Sequence, residues 1–183
     1  NSISEAIQDI INTYENKEDL FFVVGDYAHP DDTITALDIA TFLEQEVGST
    51  HPIMPAGPKK ASEVINPSAQ HLILVGGPCA NSLTEKLSGI TCNDWPYSNG
   101  EGILMLLENE DKAAILIAGT TRGETRRMGR EFENYKTSSK LKSSTEALFG
   151  KAVIAACGNN ICETGETDEN CHEDCPTENS IQI

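Results

Sequence analysis

The sequence predicts an α/β fold, with helices layered around a mainly parallel sheet and a small disulfide-rich C-terminal extension. Two observations predict it. Three times an apolar stretch runs into a glycine turn and then into a segment of helical spacing: FFVVGD at 21–26, HLILVGGP at 71–78 and AAILIAGT at 113–120. A short apolar run that ends in glycine is how a buried parallel strand hands over to its crossover helix. The composition then changes abruptly after KAVIAA at 151–156. The expected organisation is therefore a three-layer, Rossmann-like domain at 1–156 and an acidic, cysteine-rich tail at 157–183.

Each element has its own justification. Residues 2–16 carry Ile3, Ile7, Ile10 and Ile11 at helical spacing, an opening helix for one face of the sheet. After the first strand, Asp31 and Asp32 precede a helix on which Ile34, Leu37, Ile39, Phe42 and Leu43 are expected to line one face. The acidic pair suits the positive end of the helix dipole. Residues 49–69 are rich in Pro, Gly, Ser and Lys and read as a loop around a short strand, HPIMP. NSLTEKL follows the second strand as a short helix, and EGILMLLEN at 101–109 is apolar enough for a buried helix. Beyond the third strand, residues 122–135 form a helix with Met128, Phe132 and Tyr135 turned inward. TSSKLKSST links it to KAVIAA, a fourth strand.

Composition excludes several partners. Of 183 residues, 29 are Asp or Glu and 13 are Lys or Arg, a net charge of -16. Such a field repels nucleic acid and anionic membranes, and suits an extracellular protein or one that binds cations. No stretch reaches the roughly 20 apolar residues that would insert into a bilayer. The chain starts at Asn1, as a processed mature protein does. No asparagine stands in an N-glycosylation sequon with a permitted middle residue.

The six cysteines read as an oxidised set. Cys79 and Cys92 bracket a short loop after the second strand, and a bridge there stabilises by about 3 kcal/mol. Cys157, Cys162, Cys171 and Cys175 crowd the tail, with spacings unlike the paired knuckles of structural zinc. Four cysteines allow three pairings, among which Cys157 with Cys171 and Cys162 with Cys175 is the one expected. From Cys157 onward there are seven acidic residues and no Lys or Arg. A segment so poor in apolar side chains needs covalent staples or a metal in place of a core. Asn159, Glu166 and Asp174, with main-chain carbonyls, are the candidate ligands for Ca2+. No organic cofactor is expected.

VGGPCAN at 75–81, GEGI at 100–103 and LIAGTTRGETRR at 116–127 resemble the archaeal S-layer protein family, and VVGDYAHPDDTITALDIATFL resembles its N-terminal part. Together these cover most of residues 21–155. The tail is similar to a cysteine-rich motif of secreted archaeal and bacterial proteins. The chain is far shorter than a typical S-layer protein. The resemblance implies a structural protein of the cell surface, without catalysis, whose partners are copies of itself or other surface proteins. Arg122, Arg126, Arg127 and Arg130 form a basic helical surface. It is expected either to pair with nearby acidic groups or to dock the acidic tail of the next subunit. Ile181 and Ile183, alternating at the end of the chain, are candidates for strand addition to a neighbour.

Two other classes fit parts of the sequence. The strand-glycine-helix units are reminiscent of bacterial cell-wall-binding repeats, which implies a glycan-binding anchor. AHPDD at 28–32 is similar to the start of zinc-dependent N-acetylglucosaminyl deacetylases, which would make His29 and Asp32 zinc ligands and Asp31 the base. Thr33 stands where that pattern has Glu, and no His lies between 72 and 171. No nucleophile elbow, P-loop or dinucleotide fingerprint is present.

Overall fold

The computed structural model of the chain describes residues 1–150. KAVIAA, the four tail cysteines, Asn159, Glu166, Asp174, Ile181 and Ile183 lie outside the described residues, as does the expected boundary after residue 156. Within them the fold is mixed α/β, with five helices and a six-stranded, mostly parallel sheet.

The helix α1 (Ile3–Thr13) is closed by a capping box of Ser2 and Glu5 and buries Ile3, Ile7 and Ile10. The strand β1 (Leu20–Val24) runs through Gly25 to α2 (Pro30–Val47), which ends at Gly48 in the left-handed conformation. A long loop reaches β2 (Lys59–Lys60), and the chain then crosses back beneath β1 to β3 (His71–Val75). After α3 (Ser82–Ser88) come β4 (Gly102–Leu107), β5 (Ala114–Gly119), α4 (Arg122–Glu133), α5 (Ser139–Ser143) and β6 (Glu146–Phe149). The sheet order is β2-β1-β3-β5-β4-β6. Neighbouring pairs among β2, β1, β3 and β5 are parallel, and β4 runs antiparallel to both β5 and β6.

Side chains alternate across the sheet as a pleat requires. Phe22, Val24, Ile73, Val75, Ile115 and Ile117 point to one face, where α1, α2, α4 and α5 supply Ile3, Ile7, Ile39, Leu43, Met128, Phe132 and Leu141. Val23, Leu72, Leu74, Ala114 and Leu116 point to the other, under Leu83 of α3, Ala61, Val64 and the Trp95–Tyr97 segment. Both faces are covered. That is why the parallel strands read as unbroken apolar runs.

The three glycine-ended strands and the inward Met128, Phe132 and Tyr135 are found as expected. Four expectations are corrected. EGILMLLEN is the strand β4 rather than a helix, because it is buried on both faces: Leu104 joins one cluster and Ile103 and Leu107 the other. Periodicity does not separate a doubly buried strand from a buried helix. HPIMP is not a strand; Ile53 is buried there, but the pairing with β1 is made by Lys59 and Lys60. The TSSKLKSST link contains α5 and leads into β6, an edge strand that buries only Ala147. On α2 the inward face is Asp32, Thr35, Ala36, Ile39, Ala40 and Leu43, while Ile34 and Leu37 are exposed. Small residues face inward because α2 packs closely on α4: a Cβ at Gly129 would come within 2.9 Å of Thr35.

Asn81 ties the middle of the sheet together. Its side chain is completely buried. Oδ1 accepts from the main-chain N–H of Leu83 and Thr84, capping α3 at 3.1 and 3.4 Å. Nδ2 donates to the carbonyls of Val23 and Val75 at 3.1 and 3.2 Å, joining β1 to β3 where the strands part. The approach is close: a Cβ at Gly25 would stand 1.6 Å from the Ala80 carbonyl oxygen. Asn81→Ala is therefore expected to cost about 3 kcal/mol, as a lost cap plus two orphaned carbonyls. Asn81→Asp should cost at least as much, because a carboxylate cannot donate to those carbonyls. Urea midpoints of the two variants check this.

Candidate functional site

From β1 the chain moves outward to β2, and from β3 it moves the opposite way, past the position of β5, to β4, so the two connections diverge at the carboxyl ends of β1 and β3. In open α/β sheets that divergence leaves a crevice where ligands bind. A cleft of about 570 Å³ lies there. It is bounded by Tyr27, His29 and Asp32 after β1, by the Gly76–Ala80 turn after β3, by Trp95, Tyr97 and Asn99, and by Gly119–Arg122 after β5. Its volume falls within the usual size of a small-molecule site, roughly 300 to 1,000 Å³.

Asp32 forms the floor. It sits in the first turn of α2 and is only 6% exposed. Its Oδ2 lies 3.5 Å from the place a Cβ would occupy at Gly76, whose φ of +99° a side chain would also disfavour. Among the described residues no hydrogen bond ends on the Asp32 carboxylate. Burial raises its pKa above the ordinary aspartate value; the nearby His29 opposes that rise and Asp31 adds to it.

His29 is the N-cap of α2, placed there by Pro30 at the first helical position. Arg122 Nη1 stands 2.8 Å from His29 Nε2, and the Asp31 carboxylate is 3.4 Å from His29 Nδ1. The capping bond itself runs from the Asp31 N–H to Nδ1 at 3.2 Å. A guanidinium only donates, so Arg122 calls for an unprotonated Nε2, whereas the capping bond calls for an unprotonated Nδ1; a neutral ring accepts at only one of the two.

The opposite wall is held by the Cys79–Cys92 disulfide. It closes the loop containing α3 and brings Trp95 against Gly77, with ring atoms 3.5 Å from a Cβ position there. Trp95 and Tyr97 pack edge to face at 4.7 Å. The Tyr97 hydroxyl donates to Glu146 at 2.9 Å, fastening this wall to β6. Burial, then the Glu146 partner, pushes the Tyr97 pKa well above that of a free phenol.

The expected basic helix is α4, and its arginines have different employments. Arg122 reaches His29 and, at 3.9 Å, Asp31; Arg126 meets Asp38 of α2 at 3.7 Å. Both ion pairs are exposed and worth about 0 to 1 kcal/mol. Arg127 turns the other way and donates to the carbonyls of Gly100, Phe149 and Gly150, strapping the end of β6. Arg130 lies beside Glu133, where its charge partly offsets the burial that raises the Glu133 pKa. Thus Arg122, Arg126 and Arg130 remain for a basic surface, and Arg127 holds the chain's own backbone.

Arg122 occupies the outer nitrogen of His29, and among the described residues no three His, Cys, Asp or Glu are gathered to hold an ion. His71 stands at the amino end of β3, away from the crevice. Its Nδ1 accepts from Ala113 N–H at 2.9 Å and its Nε2 faces Thr13 at 3.3 Å, while burial lowers its pKa. The aromatic wall and Asn99 were not expected from the sequence. The one usable signal was a lone Trp shortly after Cys92. Among the described residues no helix is long and apolar enough to cross a membrane.

No family model matches the chain, and a search of curated proteins finds no match.

Asp32 gives the site a pH signature. A carboxyl whose folded pKa is raised binds its proton more readily in the native state, so its penalty is absent below the unfolded pKa and grows as pH rises through the folded one. Asp32→Asn is expected to raise stability at pH 7, by about 1 to 3 kcal/mol. The gain should shrink to nothing as pH falls below about 4. Paired thermal or urea unfolding curves across pH 3–8 measure it.

Proposed function

We propose that this chain is an extracellular structural protein, an S-layer-related or filament subunit that associates with copies of itself at the cell surface and carries out no chemistry. The sheet, covered on both faces, is read as a three-layer Rossmann-like domain. The observation that carries the placement is the Cys79–Cys92 disulfide, a bond that persists in oxidising surroundings.

Two features support a non-catalytic role in assembly. The histidine that would serve a metal or a proton transfer is engaged by Arg122. The outer surface of α2 and α4 presents Ile34 and Leu37 together with Arg126. With Arg122 and Arg130, and with Asp31, Asp38 and Glu133 beside these arginines, this makes a partly apolar patch of mixed charge on a chain of net charge -16. Its complement is the acidic segment from Cys157 onward, offered by the next subunit and held by its own disulfides and by Ca2+ at Asn159, Glu166 and Asp174. Ile181 and Ile183 extend the contact. Head-to-tail association of this kind yields open polymers when the rotation does not close.

Negative-stain microscopy and light scattering of the full chain test the reading. Ordered sheets or filaments should form with calcium and disperse on chelation, on reduction, at high salt, or in the double variant Arg126→Glu with Arg130→Glu. Monodisperse particles under every condition would overturn self-association. Zinc-dependent release of acetate from an acetylated sugar would overturn the non-catalytic reading.

A further inference from the structure

The crevice at the carboxyl ends of β1 and β3 has a floor and a wall of opposite chemistry. The floor is Asp32, nine-tenths buried, lining the cleft with no hydrogen-bond partner among the described residues. Its oxygens open onto the cleft, where the donors of a bound molecule can reach them. The wall is Trp95 with Tyr97, pinned by the Cys79–Cys92 disulfide and by the Tyr97 to Glu146 hydrogen bond. At the rim stands Asn99, exposed, its side-chain amide making no hydrogen bond within the described residues.

These groups constrain the ligand. A phosphate or other anion, the usual guest at such a divergence point, is repelled by the carboxylate on the floor, and Arg122, the cation of the lining, is already engaged by His29 and Asp31. A metal ion finds one buried carboxylate and an aromatic wall, not a cluster of ligands. What remains is an uncharged molecule that offers hydroxyl donors along one edge and an apolar face on another. A pyranose ring does both: its hydroxyls donate to Asp32 and exchange hydrogen bonds with Asn99, and its C–H face lies on Trp95.

We infer that this crevice is a saccharide-binding site for a neutral pyranose, with Asp32 as its buried acceptor and Trp95 as its platform. The site would fix the protein to a surface glycan. It depends on the extracellular placement proposed above but not on self-association, and its test reads binding alone.

Trp95 is the only tryptophan in the chain, so its fluorescence reports directly on the crevice. The full chain is titrated with methyl glycosides of glucose, galactose, mannose and N-acetylglucosamine into the millimolar range, and separately with Ca2+ and Zn2+. A saturable fluorescence change with at least one glycoside is expected. It should weaken about tenfold or more in Asp32→Asn, which keeps the fold and the fluorophore. Trp95→Phe keeps an aromatic platform and, followed by calorimetry, should retain weakened binding. No saturable response from natively folded protein overturns the inference. So does a response to the divalent cations alone, or binding that Asp32→Asn leaves unchanged.

Discussion

Everything at the crevice depends on Asn81, one buried amide that spends all of its hydrogen-bonding capacity where three elements meet. Its oxygen caps α3, and its nitrogen joins the carbonyls at the ends of β1 and β3. Parallel strands diverge at a crossover point, and their last carbonyls lose ladder partners there. A side chain that is both donor and acceptor satisfies them and starts the next helix. The neighbouring glycines follow from this. Gly25 lets the Ala80 backbone approach, and Gly76 adopts the positive φ that turns the chain from β3 toward Asn81.

That junction also explains why a carboxylate can stand at the crevice floor. Asp32 lies in the first turn of an 18-residue helix, whose exposed N–H groups favour negative charge. His29 and Arg122 add positive or donating groups nearby, though neither reaches the Asp32 oxygens. The residual cost appears as a raised pKa. A position that sacrifices stability without a structural partner is the kind that ligand recognition retains.

The disulfide also shapes the cleft. By closing the segment from Cys79 to Cys92 it limits how far the Trp95–Tyr97 wall can move from the Gly76–Gly77 turn, so the cleft exists before any ligand arrives. Arg127 does similar service at the far edge of the sheet, where β6 is short and buries little. The four arginines of α4 look alike in the sequence, and only their azimuth around the helix separates strap from surface.

What could be read from residues alone was whatever burial and turn chemistry imprint locally. The three strand-glycine-helix units, the amphipathic α1 and α4, and the Cys79–Cys92 pairing belong to this class, since each is specified by neighbours in the chain. The archaeal S-layer resemblance rests on motifs, and the proposed Ca2+ ligands of the tail rest on the density of acidic residues there. Tertiary structure decided the rest. Whether EGILMLLEN is helix or strand depends on a second apolar layer covering it, which no local period reveals. Asp32 becomes a buried acceptor, and Ile34 an exposed apolar group, only when α2 is rotated by its close packing on α4. Trp95 becomes a wall only because a bridge and a tyrosine hydroxyl hold it over the sheet. Those outcomes are set by contacts between residues far apart in the chain, and local sequence carries no record of them.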